Sequence, residues 1–275
     1  MNKITWFGLS FAIVIAMLLT SCGAKPTPTT TSVTSQTTTT TTIAKTMTES
    51  TTTTTTTTTP TTTKTTTATS TIPTFGNALS FDGVDDYVQV GDLGLTGNWT
   101  IQFWAKLTSS GAKVYYPIGL STTNPTYSAG VFIGFSGDNW GIYDGNTTIM
   151  DSPITIQTWH HYAVMKDGTN YTMCLDGVVK TSGSLVDIMI NDLVFGKRSD
   201  NFWNFPGIID EVKISNIAVT SFEISSPPTI DVNTVGLWHF DEVSGLVAAD
   251  AKGIHQGTLV NGPIFISSTV PAVRP

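Results

Sequence analysis

Positive charge is scarce in this sequence: 13 Lys and Arg stand against 20 Asp and Glu, the net charge is −7, and no basic stripe runs along any stretch. Such a chain cannot neutralise a phosphate backbone, so no nucleic acid is expected as a partner. Cysteine is nearly missing. Cys22 lies beside an apolar leader and Cys174 sits alone in a strand-like run, which leaves no disulfide framework and reads Cys174 as a small buried residue. Enzyme signatures are missing too, since there is no serine nucleophile elbow, P-loop or zinc motif. His160 and His161 are neighbours on a strand and point to opposite faces, so they cannot chelate one metal together.

What the chain does have is sharply divided. Lys3, the apolar run Trp6 to Leu19 and the small-residue site Leu19-Thr-Ser-Cys22 form a leader shorter than a comfortable bilayer span. It resembles a bacterial lipoprotein signal and lipobox. That resemblance implies that residues 1–22 are a signal peptide with lipobox, that Cys22 becomes the lipidated first residue of an exported chain, and that the protein is anchored to the membrane and faces outward at the cell surface. Nothing at Gly23 resembles an inner-membrane retention signal. Residues 23–74 are mostly threonine, with Pro26, Pro28 and Pro60 and the unbroken run Thr51 to Thr59. A tract without apolar periodicity cannot bury a core and is expected to be a disordered stalk. Its ~50 residues could reach roughly 150 Å if extended.

Aromatic residues are concentrated after Phe75, and there the pattern turns to short strands and tight turns. Ala78-Leu-Ser-Phe-Asp-Gly-Val-Asp-Asp-Tyr-Val-Gln-Val90 places two half-buried strand pieces around Asp82-Gly83 and the carboxylates Asp85 and Asp86. Ile101, Phe103, Ala105 and Leu107 alternate with Gln102, Trp104 and Lys106, as in a sheet with one buried face. Further strands are expected over 114–120, 130–135, 159–165, 171–175, 192–195 and 207–215, with hairpin turns at Asp167-Gly168 and Asp176-Gly177. Trp104, Trp159 and Phe205 are core candidates. Thr220 and Glu223 have capping-box spacing ahead of Pro227-Pro228, which predicts one helical turn. Residues 75–275 are therefore read as one all-β domain.

Five motifs in order, Ala78 to Val88, Thr100-Ile-Gln-Phe-Trp104, Trp159-His-His-Tyr-Ala163, Leu175-Asp-Gly177 and Gly207-Ile-Ile-Asp-Glu-Val-Lys-Ile214, resemble the laminin-G-like jelly-roll family of the concanavalin A-like lectin and glucanase superfamily. The resemblance spans Phe75 to about Gly262 and implies an antiparallel two-sheet jelly-roll sandwich. Val235 to Gly245 and Gly257 to Pro263 resemble a segment that opens many members but here closes the chain. Because the end strands of a jelly roll are neighbours, that segment reads as a closing strand. Family members often carry a structural calcium between first and last strands, and the match implies Asp82 and Asp210 as carboxylate ligands with the Gly83 carbonyl beside them.

The enzymatic branch of that superfamily uses closely spaced carboxylates on one strand, flanking the scissile bond at about 5–5.5 Å for retention. Here the glutamates are Glu49, Glu211, Glu223 and Glu242, none in a Glu-x-Asp-x-x-Glu strand, and Asp210 and Glu211 are expected to face opposite ways. No catalytic site is expected. The aromatics Tyr115, Tyr116, Tyr127, Trp140, Tyr143, Phe202 and Trp203 lie beside Gly, Asn and Asp, a mixture that suits sugar stacking and equally suits packing under long loops. Tyr116, Trp140 and Trp203 are the ligand-binding candidates. The sequence reading is thus a lipid-anchored, non-catalytic surface module for glycans or extracellular and envelope ligands, with a structural envelope protein as the alternative and a glycoside hydrolase as the third reading.

Overall fold

Strand-period apolar residues punctuated by Gly, Asp and Asn leave little room for helix, and among the described residues there is none. The structure, a computed structural model, describes residues 74–109, 114–121, 130–144, 147–185, 192–198 and 203–271, so Cys22, Tyr127, Phe202 and the threonine tract lie outside it. The strands are β1 (Asn77–Asp82), β2 (Tyr87–Gly91), β3 (Trp99–Leu107), β4 (Val114–Ser121), β5 (Gly130–Ser136), β6 (Asn139–Tyr143), β7 (Thr148–Pro153) and β8 (His160–Asp167). They continue as β9 (Asn170–Leu175), β10 (Val178–Ser184), β11 (Asp192–Phe195), β12 (Pro206–Ser215), β13 (Thr234–Trp238), β14 (Val247–Ala248), β15 (Gly257–Val260) and β16 (Ile264–Ser267).

Two antiparallel sheets result. One runs β10-β9-β8-β3-β12-β1-β16, with β13 also paired to β12, and the other runs β14-β15-β2-β11-β4-β5-β6-β7. Between them lies the main core, in which Phe103 stacks on Tyr162 at 5.4 Å and Phe135 on Phe205 at 5.9 Å. Asp176 and Gly177, at φ 55° and 76°, form the two-residue turn that joins β9 to β10, a conformation suited to the right-handed twist of a hairpin.

The first strand pieces do not form a hairpin with each other. β1 pairs with β12 and β16, whereas β2 pairs with β11 and β15, so the Asp82–Asp86 loop crosses from one sheet to the other. The closing segment contributes to both: β13 extends β12, β15 lies beside β2 and β16 lies beside β1.

Two expectations fail for packing reasons. β3 is buried on both faces, since Trp104 packs with Phe75, Ala78, Trp159, Ile208 and Val270 in a second cluster on the far side of the sheet. Residues 220–225 are not helical. Phe222 is drawn down beside Ala163, Met165 and Cys174, and the Glu223 carboxylate accepts from the Ser225 amide at 3.0 Å instead of capping a helix.

Candidate functional site

The crossing loop is built around Asp82. Its Oδ1 accepts from the Val84 amide at 2.7 Å, a turn in which a side chain satisfies the backbone, while the Asp82 amide donates to Asp86 Oδ2 at 2.9 Å. Gly83 sits at φ +76°, and a Cβ there would lie 2.7 Å from the Pro206 Cβ, so the position requires glycine. Ligand atoms of Asp82, Asp85 and Asp86 lie within 4.8 Å of one another, and this acid cluster could bind a metal ion. Burial, reinforced by the charges of Asp82 and Asp85 and opposed by the Asp82 amide, raises the Asp86 carboxyl above its ordinary range.

Against this loop stands Trp203. It has φ +67° and is 43% exposed, in contrast to Trp99, Trp104, Trp140, Trp159 and Trp238, which are all buried. Its carbonyl accepts from the Tyr116 amide at 3.2 Å, and the next residue, Asn204, donates from its side chain to the Val84 carbonyl. Phe205 is buried in the core, so the short turn throws one ring outward and anchors the next but one inward. Gly83, Val84, Val114, Tyr115, Trp203 and Asn204 line a cleft of about 460 Å³.

The other two aromatic candidates part company. Tyr116 lies on strand β4 and not in a loop, and it is buried at 6% exposure, joined to Trp203 through the backbone with the Arg198 guanidinium 5.8 Å from its ring. Trp140 is corrected to a core residue: it is 1% exposed, its ring centroid is 5.0 Å from that of Tyr162, and its Nε1 donates to Asp151 at 3.2 Å. The reason is local. Gly137 and Asp138 make the β5–β6 turn, and Trp140 is an inward residue of a strand, not part of a loop.

The expected pairing of Asp82 with Asp210 is also corrected. Asp82 stands opposite Pro206, four residues from Asp210 along β12, a separation of ~13 Å of strand. Asp210 belongs to a different acid group. A β-bulge between Asp210 and Lys213, with Glu211 at φ +54°, breaks the alternation that would have faced Asp210 and Glu211 apart, and both are buried. Asp210 Oδ2 accepts from Ser268 Oγ at 2.5 Å, but its Oδ1 is buried and unpartnered, and burial together with the Glu211 charge pushes the carboxyl up to about 9. Glu211 Oε2 lies 2.6 Å from His239 Nδ1, a contact that raises the His239 pKa. Asp241 accepts from the Asn77 amide at 2.8 Å, and Glu242 has one oxygen on the Ala249 amide at 2.6 Å and the other buried without a partner.

Unpartnered buried carboxylate oxygens are costly, and a hard cation would satisfy them. Asp210, with the charge of Asp241 acting on it, is such a carboxylate, whereas the acid group whose ligand atoms come close enough to share an ion among the described residues is Asp82, Asp85 and Asp86. In the sequence, His239, Asp241 and Glu242 stand only as part of a fold motif. Their signal was the His-Phe-Asp-Glu run, whose position beside β12 depends on a pairing that spacing does not reveal.

Among solved structures the chain is similar to a protein of Bacteroides ovatus ascribed carbohydrate binding, at 15% identity with a TM-score of 0.54 over 72% of this chain. It spans 61% of that protein's length. It is also similar to the heptameric SAP-like pentraxin of Limulus polyphemus, at 13% identity and a TM-score of 0.55, over 72% of this chain and 98% of the pentraxin. At such identities the likeness is one of fold. No curated protein matches in sequence. The profile of the concanavalin A-like lectin/glucanases superfamily matches residues 82–225, more than half of the sequence, and the chain belongs to that superfamily.

Proposed function

We propose that this protein is a lipid-anchored, outward-facing binding module that recognises glycans through the Trp203 cleft and performs no catalysis. The observation that carries the reading is the exposed Trp203 ring, held out by a left-handed backbone beside Asn204 in a cleft of about 460 Å³. A sugar ring has an apolar face that stacks on an indole and a rim of hydroxyls that bond amide and carbonyl groups, and both are offered here. The fold shared with the Bacteroides ovatus protein ascribed carbohydrate binding supports the same reading. A structural envelope protein that only packs against its neighbours has no need of such a cleft.

Calcium belongs to this proposal as a structural ion. Asp210, which feels the charges of Glu211 and Asp241, would hold it, and its charge would neutralise carboxylates that the fold buries. The Asp82, Asp85 and Asp86 cluster is a second place for a cation. Membrane attachment rests on the Leu19-Thr-Ser-Cys22 site. The test is a glycan array probed with the full-length protein in detergent micelles, with and without calcium. Binding that Trp203→Ala abolishes is expected; a folded protein that retains no carbohydrate on any array would overturn the reading.

A further inference from the structure

The outward face of the second sheet carries a groove that adjoins the Trp203 cleft. The cross-strand pairs Val114 with Ser136, Gly134 with Gly141, Gly141 with Met150 and Tyr143 with Thr148 set these residues on the face opposite to Ile133, Phe135, Trp140, Ile142 and Ile149, which fill the core. Over them lies a groove of about 410 Å³. Gly134 and Gly141 stand directly opposite each other and are buried, so its floor is the Tyr116 ring and the Met150 side chain that cover them. A Cβ on Gly134 would lie 2.6 Å from the Tyr116 ring, and one on Gly141 would lie 2.5 Å from the Met150 sulfur. The glycine pair is thus what lets Tyr116 and Met150 lie down against the sheet.

The lining narrows the occupant. None of the lining side chains is charged, and the Arg198 guanidinium that borders the groove is spent over the Tyr116 ring at 5.8 Å, so a basic chain finds no countercharge and the lining itself offers none to an acidic one. Tyrosine rings and a thioether alternate with the hydroxyls of Ser136, Tyr143 and Thr148, which suits a ring with apolar faces and a hydroxyl rim. A peptide adding itself as a strand needs a sheet edge, whereas this groove crosses the face of four strands, β4 to β7. Three strand spacings make it ~14 Å long, the reach of a short oligosaccharide and more than one sugar. Val114 lines both the groove and the Trp203 cleft, and the Tyr116 amide is bonded to the Trp203 carbonyl, so the two adjoin.

From this adjacency we infer that the protein binds an extended, uncharged oligosaccharide chain, one ring stacked on Trp203 and the following rings laid along the groove over Tyr116 and Met150. The inference rests on the glycan reading of the Trp203 cleft. Its test uses the full-length protein in micelles and neutral glucan, xylan, galactan and N-acetylglucosamine oligosaccharides, each from monosaccharide to hexasaccharide, with affinity measured by calorimetry. For at least one series the hexasaccharide should bind about tenfold or more tightly than the disaccharide. Tyr143→Ala, and independently Met150→Glu, which blocks the groove from an exposed position, should bring that ratio toward one, whereas Trp203→Ala should weaken both ligands. If carbohydrate binds with an affinity independent of length, or with a length dependence untouched in both groove variants, the extended chain is refuted while the Trp203 reading stands. If no carbohydrate binds in any series, both fail together, as they would if a polypeptide covered this face.

Discussion

Trp140 packs against Tyr162 in the middle of the sandwich while Trp203 stands in solvent, so the same substitution has opposite consequences at the two sites. Trp140→Ala should cost about 3–5 kcal/mol, and for a domain of this size that lowers Tm by roughly 6–20 °C in a calorimetric scan. Trp203→Ala should move Tm by no more than about 2 °C while removing ligand binding. Sequence alone offered no way to separate them, because both rings sit among Asn, Asp and Gly, and only the inward or outward parity of β6 decides the matter. Asp210 makes a second residue-scale case. Its carboxyl is pushed up to about 9 when folded, against about 3.9 unfolded. The folded state then holds a proton that the unfolded state releases, so the stabilisation is complete below pH ~4 and is lost as pH rises toward 9. Raised values at Glu211 and His239 act in the same direction. In chelator, Tm should therefore fall between pH 5 and pH 8. A hundredfold excess of calcium over its dissociation constant should restore about 2.7 kcal/mol, or roughly 5–11 °C, in wild type and Asp82→Ala but not in Asp210→Ala. Loss of the shift in Asp82→Ala alone would move the ion to the crossing loop.

Among the elements, the strands legible in the sequence were those with clean apolar alternation, and β4, β5, β8, β9, β11 and β12 lie where the pattern put them to within a residue or two. β6 and β7 escaped because glycine interrupts one and proline ends the other, and β10 escaped because its seven residues hold almost no apolar side chains. The acid group around Asp210 was half legible. The aspartate could be read from its motif, but the bulge at Glu211 and the arrival of His239 and Glu242 from the closing segment are products of long-range pairing. That segment also yields a test of topology. The Ser268 amide donates to the Gly76 carbonyl at 3.0 Å, so the two ends of the domain lie side by side. Joining residue 271 to residue 74 by a short glycine linker and opening the chain between Ser225 and Ser226, in a stretch without strand pairing, should give a circular permutant with the same sheets. Its circular dichroism spectrum should match that of the parent domain, with Tm within about 10 °C. A molten or insoluble permutant would mean that the closing segment must be made last.

At the scale of the whole molecule, the sequence divides into a leader, a threonine tract and a strand-rich domain. The leader ends at Leu19-Thr-Ser-Cys22, and the tract that follows offers hydroxyls and prolines but nothing with which to build a core. A single cysteine placed there suits diacylglycerol attachment, which would tether the domain at the end of a spacer whose extended reach is roughly 150 Å. Lipidation should make the protein partition into the membrane fraction, stay there through a high-salt wash and leave with detergent, since acyl chains are held by burial and not by charge. Cys22→Ser should leave the precursor unprocessed or release it from membranes. The tract, whose threonine-rich sequence offers nothing with which to build a core, should also be the place where limited proteolysis cuts first, freeing a domain of residues near 75–275 that still melts cooperatively. Mass spectrometry of the mature N-terminus decides the anchor directly: a modified cysteine at position 22 is the expected result, and cleavage elsewhere with an unmodified Cys22 would leave the domain exported but without a lipid tether.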